Sequence, residues 1–142
     1  MDRTDRCEQI AQLTDAEIER LARLVLDGNE SAQRPTLITP PTVGMVMARV
    51  AEAAHGDVFN FGEVLVTECH VRIGRSEGWS MVMGSRPAAA LRAASIDAVL
   101  AGGGVDPTPL DRLLASLTQA REAAVAASRA HLAETRVQFE TQ

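Results

Sequence analysis

The segment Gly84-Ser85-Arg86-Pro87 is the part of the sequence whose residues are best suited to chemistry. It joins an apolar run to a stretch typical of a helix, and the free N–H groups at a helix start can hold a phosphate or a carboxylate. Arg86 could grip the same anion through two N–H groups. Ser85 and Arg86 are therefore candidate anion-binding residues. The alternative, which we favour, is an ordinary strand-to-helix connection in which Ser85 caps the helix.

Cysteine and histidine are the residue types most often used for metal binding and nucleophilic catalysis. Cys69 and His70 are neighbours, but on a strand their side chains point to opposite faces, whereas a metal needs three or four converging ligands. A nucleophile needs a base and an orienting acid, and the sequence contains no Gly-x-Ser-x-Gly motif. Glu63 and Glu68 fall on opposite faces of a predicted strand and cannot share a proton. We predict no catalytic residue and no metal site.

Cofactor motifs are also missing from the sequence. Two cysteines are too few for an iron–sulfur cluster held by this chain alone, which needs about four. The glycine run Gly102–Gly104 lacks the Lys-Ser/Thr of a phosphate-binding P-loop and is typical of a connector. We therefore predict no cofactor.

The composition favours one small globular domain over residues 1–142. The formal net charge is −5, and the arginines are spread along the chain without a basic run. Nucleic-acid binding needs clustered cations, and single-strand binding needs aromatic side chains, of which the chain has one Trp, three Phe and no Tyr. Neither DNA nor RNA is an expected partner.

Location is indicated by the chain start, the hydropathy and the cysteine count. The first residues include charged side chains rather than the apolar core of a signal peptide. No stretch approaches the roughly 20 apolar residues of a membrane span. The two cysteines are expected to be free thiols, which suits a reducing compartment. We expect a cytoplasmic protein that does not bind membranes.

Two helices are predicted before the sheet. The first opens with Thr4 and runs towards Leu13. The second spans Asp15–Asp27, because Thr14 and Glu17 form a capping box and apolar residues then recur at helical spacing. Gly28 is placed to end it.

The middle of the chain predicts an antiparallel meander. Leu37–Ile38 is a short extended piece before Pro40–Pro41, and Val43–Val50 is typical of a buried strand. After a turn at residues 54–57, Glu63–Ile73 alternates as a strand with one wet face, its inward side chains being Leu65, Thr67, Cys69, Val71 and Ile73. Residues 74–78 are a predicted hairpin loop, and Trp79–Met83 is the returning strand.

Two more helices are predicted after the sheet. Residues 88–100 are rich in strong helix formers and follow Pro87, with Asp97 expected in solvent. The last helix starts near Thr108, with Asp111 completing a cap, and continues towards Val137. The chain is therefore expected to be α+β, an antiparallel sheet of three to four strands flanked by N-terminal and C-terminal helices.

Several segments together resemble the PhnG family, a small subunit of the phosphonate carbon–phosphorus (C–P) lyase system. They are FNFGEVLVTECHVRIG from Phe59, GWSMVMGSR from Gly78, the following helix with Ala-Leu-Arg and Ile-Asp-Ala-Val-Leu, and TRVQFETQ from Thr135. The resemblance covers about two thirds of the chain. The family usually has Gly-Arg-Asp where this chain has Gly84-Ser85-Arg86, a Tyr near Met81 or Val82, and Asp and Phe where it has Gln138 and Glu140. These departures raise the alternative of a divergent member.

The resemblance implies a non-catalytic core subunit. With PhnI-, PhnH- and PhnL-like subunits it would support transfer of an alkylphosphonate to the ribose of ATP with release of adenine. PhnI-like subunits would carry that displacement, and a PhnJ-like radical SAM subunit would later cleave the carbon–phosphorus bond. The candidate partner contacts are Leu113, Leu117, Arg136 and Phe139, on the last helix and the chain end.

Two rival functions remain open. In the first, the chain contributes Arg86 and the adjacent helix start to an active site that binds triphosphate or phosphonate. In the second, it is a free-standing module that binds a small anion or metabolite. That module would be a stable monomer or homodimer whose melting temperature rises with ligand.

Overall fold

The computed structural model describes residues 1–27, 29, 34–52 and 55–134, with the side chains of residues 132–134 left out. The described residues form α1 (Arg3–Ala11), α2 (Asp15–Leu26), β1 (Thr36–Ala51), β2 (Val58–Ile73), β3 (Ser76–Met83), α3 (Pro87–Ala101) and α4 (Thr108–Glu134). The strands make an antiparallel sheet in the order β1-β2-β3. The predicted α+β class, with helices before and after the sheet, is confirmed.

The two N-terminal helices begin at side-chain caps. Glu17 accepts a hydrogen bond from the Thr14 backbone N–H at 2.8 Å, and the Thr14 hydroxyl accepts the Glu17 N–H at 3.4 Å, which confirms the capping box. The first helix begins one residue before Thr4, because Asp2 caps it through the Asp5 N–H. The predicted stop at Gly28 lies outside the described residues.

Helix α3 is the centre of the core. It is buried nearly all round, since β2 and β3 lie on one side and α1 and α2 on the other. Small alanine side chains let it approach the sheet closely. A Cβ at Gly78 of β3 would collide with the backbone of Ala94 and Ala98, so this contact requires glycine. Asp97, expected in solvent, is only 6 % exposed because α3 has almost no solvent face.

Strand β1 differs from the prediction of two separate extended pieces. It runs unbroken through Pro40–Pro41, with register shifts on either side of Thr39. Proline lacks the N–H that an inner strand would need, but β1 is an edge strand of the described sheet and loses no ladder bond on its outer side. The prolines therefore bend the pairing without ending the strand.

The predicted alternation of β2 is confirmed only where helices cover the sheet. Thr67, Cys69, Val71 and Ile73 are buried, as expected. Leu65, predicted on the same buried face, is exposed. From Leu65 towards the tip of the β1–β2 hairpin, the side chains on the core face of the sheet are exposed to solvent.

We call the described residues 43–52 and 55–65 the arm. Val43–Val50 was predicted as a buried strand, and that prediction is wrong, because Val43, Met45, Met47 and Val50 are about half exposed. A run of apolar residues indicates burial only when another layer lies over it, and the exposure of these side chains shows that no such layer of the described chain covers them. The tip turn at residues 55–57 is present, and Ala54 lies outside the described residues.

Two predicted connections are corrected. The hairpin loop between β2 and β3 is shorter than residues 74–78, because Ser76 already pairs with Ile73 and only two residues turn. Asp111 does not cap α4: the Asp106 carboxylate accepts the Thr108 N–H at 3.0 Å, and Asp111 binds elsewhere. The extension of α4 to Val137 lies outside the described residues.

Candidate functional site

The predicted anion site lies where β3 ends and α3 begins. Gly84 turns the chain with φ 87°, and its N–H donates to the Leu65 carbonyl at 2.8 Å. The Thr67 hydroxyl donates to the Gly84 carbonyl at 2.6 Å and accepts the Arg86 N–H at 2.8 Å. A buried threonine of β2 thus fixes the backbone of the junction.

Arg86 is tied to the connection between α1 and α2. Its Nε donates to Asp15 at 2.6 Å and one terminal nitrogen donates to the Leu13 carbonyl at 2.8 Å. The side chain is only 21 % exposed. These contacts give Arg86 a structural role at the junction, and its binding of an external anion stays a prediction.

Ser85 is exposed and does not cap α3, which corrects the alternative that we favoured. The N-cap residue is Arg86, and it makes no side-chain cap hydrogen bond. Pro87 follows as predicted at the first helical position, where its missing N–H costs nothing. The start of α3 therefore keeps backbone N–H groups that no side chain caps, beside the exposed Ser85 hydroxyl.

Asp97 is the centre of a polar cluster that the sequence did not reveal. Arg3 donates to both of its oxygens, at 2.8 and 2.7 Å, and the Trp79 N–H donates at 2.9 Å. The cluster joins α1, α3 and the outer edge of β3. The only signal in the sequence was an acid in an alanine-rich helix, which by itself is equally typical of a solvent-facing position.

A second arginine–carboxylate cluster joins α1 to α4. Arg6 donates to Asp111 at 2.9 and 3.3 Å, and the N-terminal amine of Met1 lies 3.5 Å from the same carboxylate. The Arg6 hydrogen bond is the main cause that lowers the pKa of Asp111. This contact holds Asp111 ionised and fixes the first turn of α4 against the N-terminus.

An apolar groove of about 280 Å³ lies between α1 and β3, lined by Cys7, Trp79 and Met81 among others. Burial, followed by the nearby Asp97, raises the pKa of the Cys7 thiol to about 11. Burial also raises the pKa of Cys69. Both cysteines are protonated at neutral pH and are poor nucleophiles.

The candidate partner contacts on α4 are only partly accessible. Leu110 and Leu114 are fully buried, while Leu113 and Leu117 are half-buried against the same core. The part of α4 from Gln119 to His131 is exposed. Arg136 and Phe139 lie outside the described residues, so their contact role stays a prediction, as does that of Leu113 and Leu117.

His70 and Cys69 point to opposite faces of β2. Cys69 is buried under the helices, and His70 lies 3.2 Å from Glu77 on the other face. Within the described residues, no three His, Cys, Asp or Glu side chains are grouped as a metal site requires.

None of the helices in the part of the chain that the structure describes is long and apolar enough to cross a membrane.

Comparison with known proteins identifies the family. No curated protein matches the chain. The family model described as "Phosphonate metabolism protein PhnG" matches residues 2–142, which include the junction, both arginine–carboxylate clusters and the arm. The chain therefore belongs to the PhnG family of phosphonate metabolism proteins.

Proposed function

We propose that this chain is a non-catalytic core subunit of the C–P lyase system. It supports the transfer of an alkylphosphonate to the ribose of ATP, in which a phosphonate oxygen bonds to the ribose carbon as adenine leaves. The family match over nearly the whole chain carries the proposal. Its partners are PhnI-, PhnH- and PhnJ-like subunits, with a PhnL-like subunit as a further component, and its place is the cytoplasm.

The internal use of the charged clusters supports a scaffold role. Arg3, Arg6 and Arg86 each bind a carboxylate of another element of the same chain. Such contacts fix the relative positions of elements, which is what a supporting subunit needs. The thiols with raised pKa values likewise favour a structural role for Cys7 and Cys69.

Reconstitution by omission tests the proposal. The PhnI-, PhnH- and PhnL-like subunits, with ATP and methylphosphonate, should form the ribose 1-methylphosphonate 5-triphosphate product only when this chain is added. Product can be followed by phosphorus NMR and adenine by chromatography. An equal rate without the chain would contradict the proposal.

The enzyme rival, in which Arg86 binds triphosphate or phosphonate, is favoured by the uncapped start of α3 beside Arg86. Two variants distinguish it from a structural role. Arg86→Ala removes the cation and its contacts with Asp15 and Leu13, whereas Asp15→Asn weakens only the first contact and keeps the cation; melting temperatures of both variants show whether the junction is still held. If Arg86→Ala lowers turnover while Asp15→Asn does not, with assembly intact in both, Arg86 binds substrate. If both variants lower turnover equally, Arg86 acts by holding the junction in place and does not bind substrate.

The binding-module rival makes a different prediction. A free-standing module would be folded and unaccompanied when a tagged copy is purified from cells grown on methylphosphonate. Its melting temperature would rise with phosphate or methylphosphonate by mass action. Recovery with the other subunits, together with a melting temperature that these anions leave unchanged, would exclude this rival.

A further inference from the structure

The arm carries the core face of the sheet beyond the helices. Met45 pairs with Leu65 and Val43 pairs with the buried Thr67, so these side chains share the face that the helices cover farther along. Met47 follows on the same face by alternation. Val43, Met45, Met47 and Leu65 thus form an apolar stripe that continues the core, yet each is about half exposed.

The tip of the arm adds a second group of exposed apolar residues. They are Val50, Val58, Phe59 and Phe61. The eight side chains are between 41 % and 70 % exposed. Counted over both faces of the ribbon, they present on the order of 700 Å² of surface, near the ~800 Å² that each partner gives to a standard interface.

A ribbon of two strands is marginally stable in water when nothing covers it. The outer edge of β1 along the arm contains no proline, and no strand of the described chain pairs with it. An uncovered apolar edge of this kind favours association with another chain. The arm therefore has both the area and the open edge of an interface.

Charge indicates which kind of partner fits. The described charged residues of the arm are one arginine, Arg49, and three carboxylates, Glu52, Asp57 and Glu63, with His55 at the tip. Two copies of the arm would bring like charges together, and an acidic arm is repelled by anionic lipid. A cleft of a different protein with an apolar floor and a basic rim complements both the stripe and the carboxylates.

We propose that the arm inserts into an apolar, basic-rimmed cleft of a different subunit of the complex, which takes over the covering role that the helices play for the rest of the sheet. This inference rests on the proposed function, and it adds which surface of the chain makes the contact. It differs from the sequence-based expectation, which put the contacts on α4 and the chain end.

The test uses the full chain co-expressed with tagged PhnI-, PhnH- and PhnJ-like subunits. The arm variant Met45→Thr/Phe61→Thr keeps residues that suit a strand and removes two side chains that are 57 % and 70 % exposed. Leu24→Gln, on α2 and 47 % exposed, is the matched control away from the arm. Circular dichroism and Trp79 fluorescence check that each variant is folded.

We expect the tagged subunits to retain wild type and Leu24→Gln equally, and the arm variant about tenfold less, as for loss of interface hot spots. Hydrogen exchange on wild type gives a readout that needs no variant. Peptides covering residues 43–50 and 58–65 should be protected in the complex relative to the free chain. The absence of lysine makes amine-reactive cross-linkers unsuitable here, so exchange is the better probe.

Three outcomes would overturn the inference, and they separate it from the proposed function. If wild type and arm variant are retained equally and the arm gains no protection, the inference is wrong while the proposed function stands. If none of the subunits retains wild type, the proposed function fails and the inference falls with it. If sedimentation shows a homodimer that the arm variant dissociates, the occupant is a second copy.

Discussion

Arginine–carboxylate pairs tie elements that are distant in the chain. Arg3 reaches Asp97, Arg6 reaches Asp111, and Arg86 reaches Asp15. Of the carboxylates in these pairs, Asp97 is the most buried, since its side chain is 8 % exposed, and it also accepts a backbone N–H from β3, whereas its partner Arg3 is 58 % exposed. A buried carboxylate with three donors stabilises the fold only while all the partners are present.

Replacing Asp97 with asparagine should therefore destabilise the protein. The amide keeps one acceptor but loses the charge, which leaves the Arg3 guanidinium and the Trp79 N–H poorly matched. We expect the free energy of unfolding to fall by about 2 kcal/mol, measured by urea denaturation with Trp79 fluorescence. Arg23→Gln, in an exposed pair on α2, is the control and should change it by less than about 0.5 kcal/mol. An equal effect of both variants would contradict the role of Asp97.

The Cys7 thiol predicts a dependence of stability on alkaline pH. Burial raises its pKa from 9.0 to about 11, so the folded state binds the proton more tightly than the unfolded state. That contribution is fully present below pH 9 and is lost as the pH rises through the folded pKa. The unfolding free energy of wild type should thus fall more steeply between pH 9 and 11 than that of Cys7→Ala. Parallel slopes in urea titrations at several pH values would rule this out.

At the scale of elements, α3 packs against β3 at very short range. Gly78 of β3 faces the backbone of Ala94 and Ala98 without room for a Cβ. Alanines along α3 make this approach possible, and the cap of α2 at Thr14 and Glu17 fixes where the helix behind α3 begins. The sheet and α3 therefore act as one packed unit, on which α1, α2 and α4 are placed.

Gly78→Ala should be strongly destabilising because α3 or β3 must move to admit the methyl group. We expect a loss of about 3 kcal/mol in the free energy of unfolding, measured by urea denaturation. Gly44→Ala is the matched control, since a Cβ there meets no atom within 4 Å. That variant should change stability by less than about 1 kcal/mol. Similar values for the two variants would show that the α3–β3 contact is looser than described.

At the scale of the whole molecule, two elements extend past the packed unit. The arm continues the sheet, and α4 continues beyond Leu117 with exposed residues as far as His131. A small monomer gains little from such extensions, because they bury little apolar surface of their own. In a multi-subunit complex they would supply surface to neighbours, which agrees with the proposed function.

Arg121 donates to the Gln12 carbonyl at 2.8 Å, and the outer half of α4 beyond it should be independent of the core. Ala123→Gly/Ala124→Gly disfavours helix there by about 1 kcal/mol per residue, and should lower the helical signal at 222 nm without moving the unfolding transition seen by Trp79 fluorescence. Ala94→Gly, the same substitution in buried α3, should shift that transition to lower urea. If the α4 variant shifts it by the same amount, the outer half is coupled to the core.

The sequence by itself determined the types and order of the elements. Local patterns carried that information: the Thr14–Glu17 capping box, the alternation of residues 67–73, and Pro87 at a helix start. The family resemblance was also present in the sequence, because the order and spacing of short motifs do not depend on knowing the fold. The α+β class and the family were therefore both predicted correctly.

Only the tertiary structure decided which predicted faces are covered. Val43, Met45, Met47 and Leu65 have the apolar character of a core and are about half exposed, while Asp97 has the character of a surface residue and is buried. Burial depends on whether another layer lies over a residue, and that is a property of contacts between elements distant in the chain. For the same reason, the sequence did not indicate the partners of Arg3 and Arg86. Asp97 and Asp15 lie far from these arginines in the chain and meet them only in the folded structure.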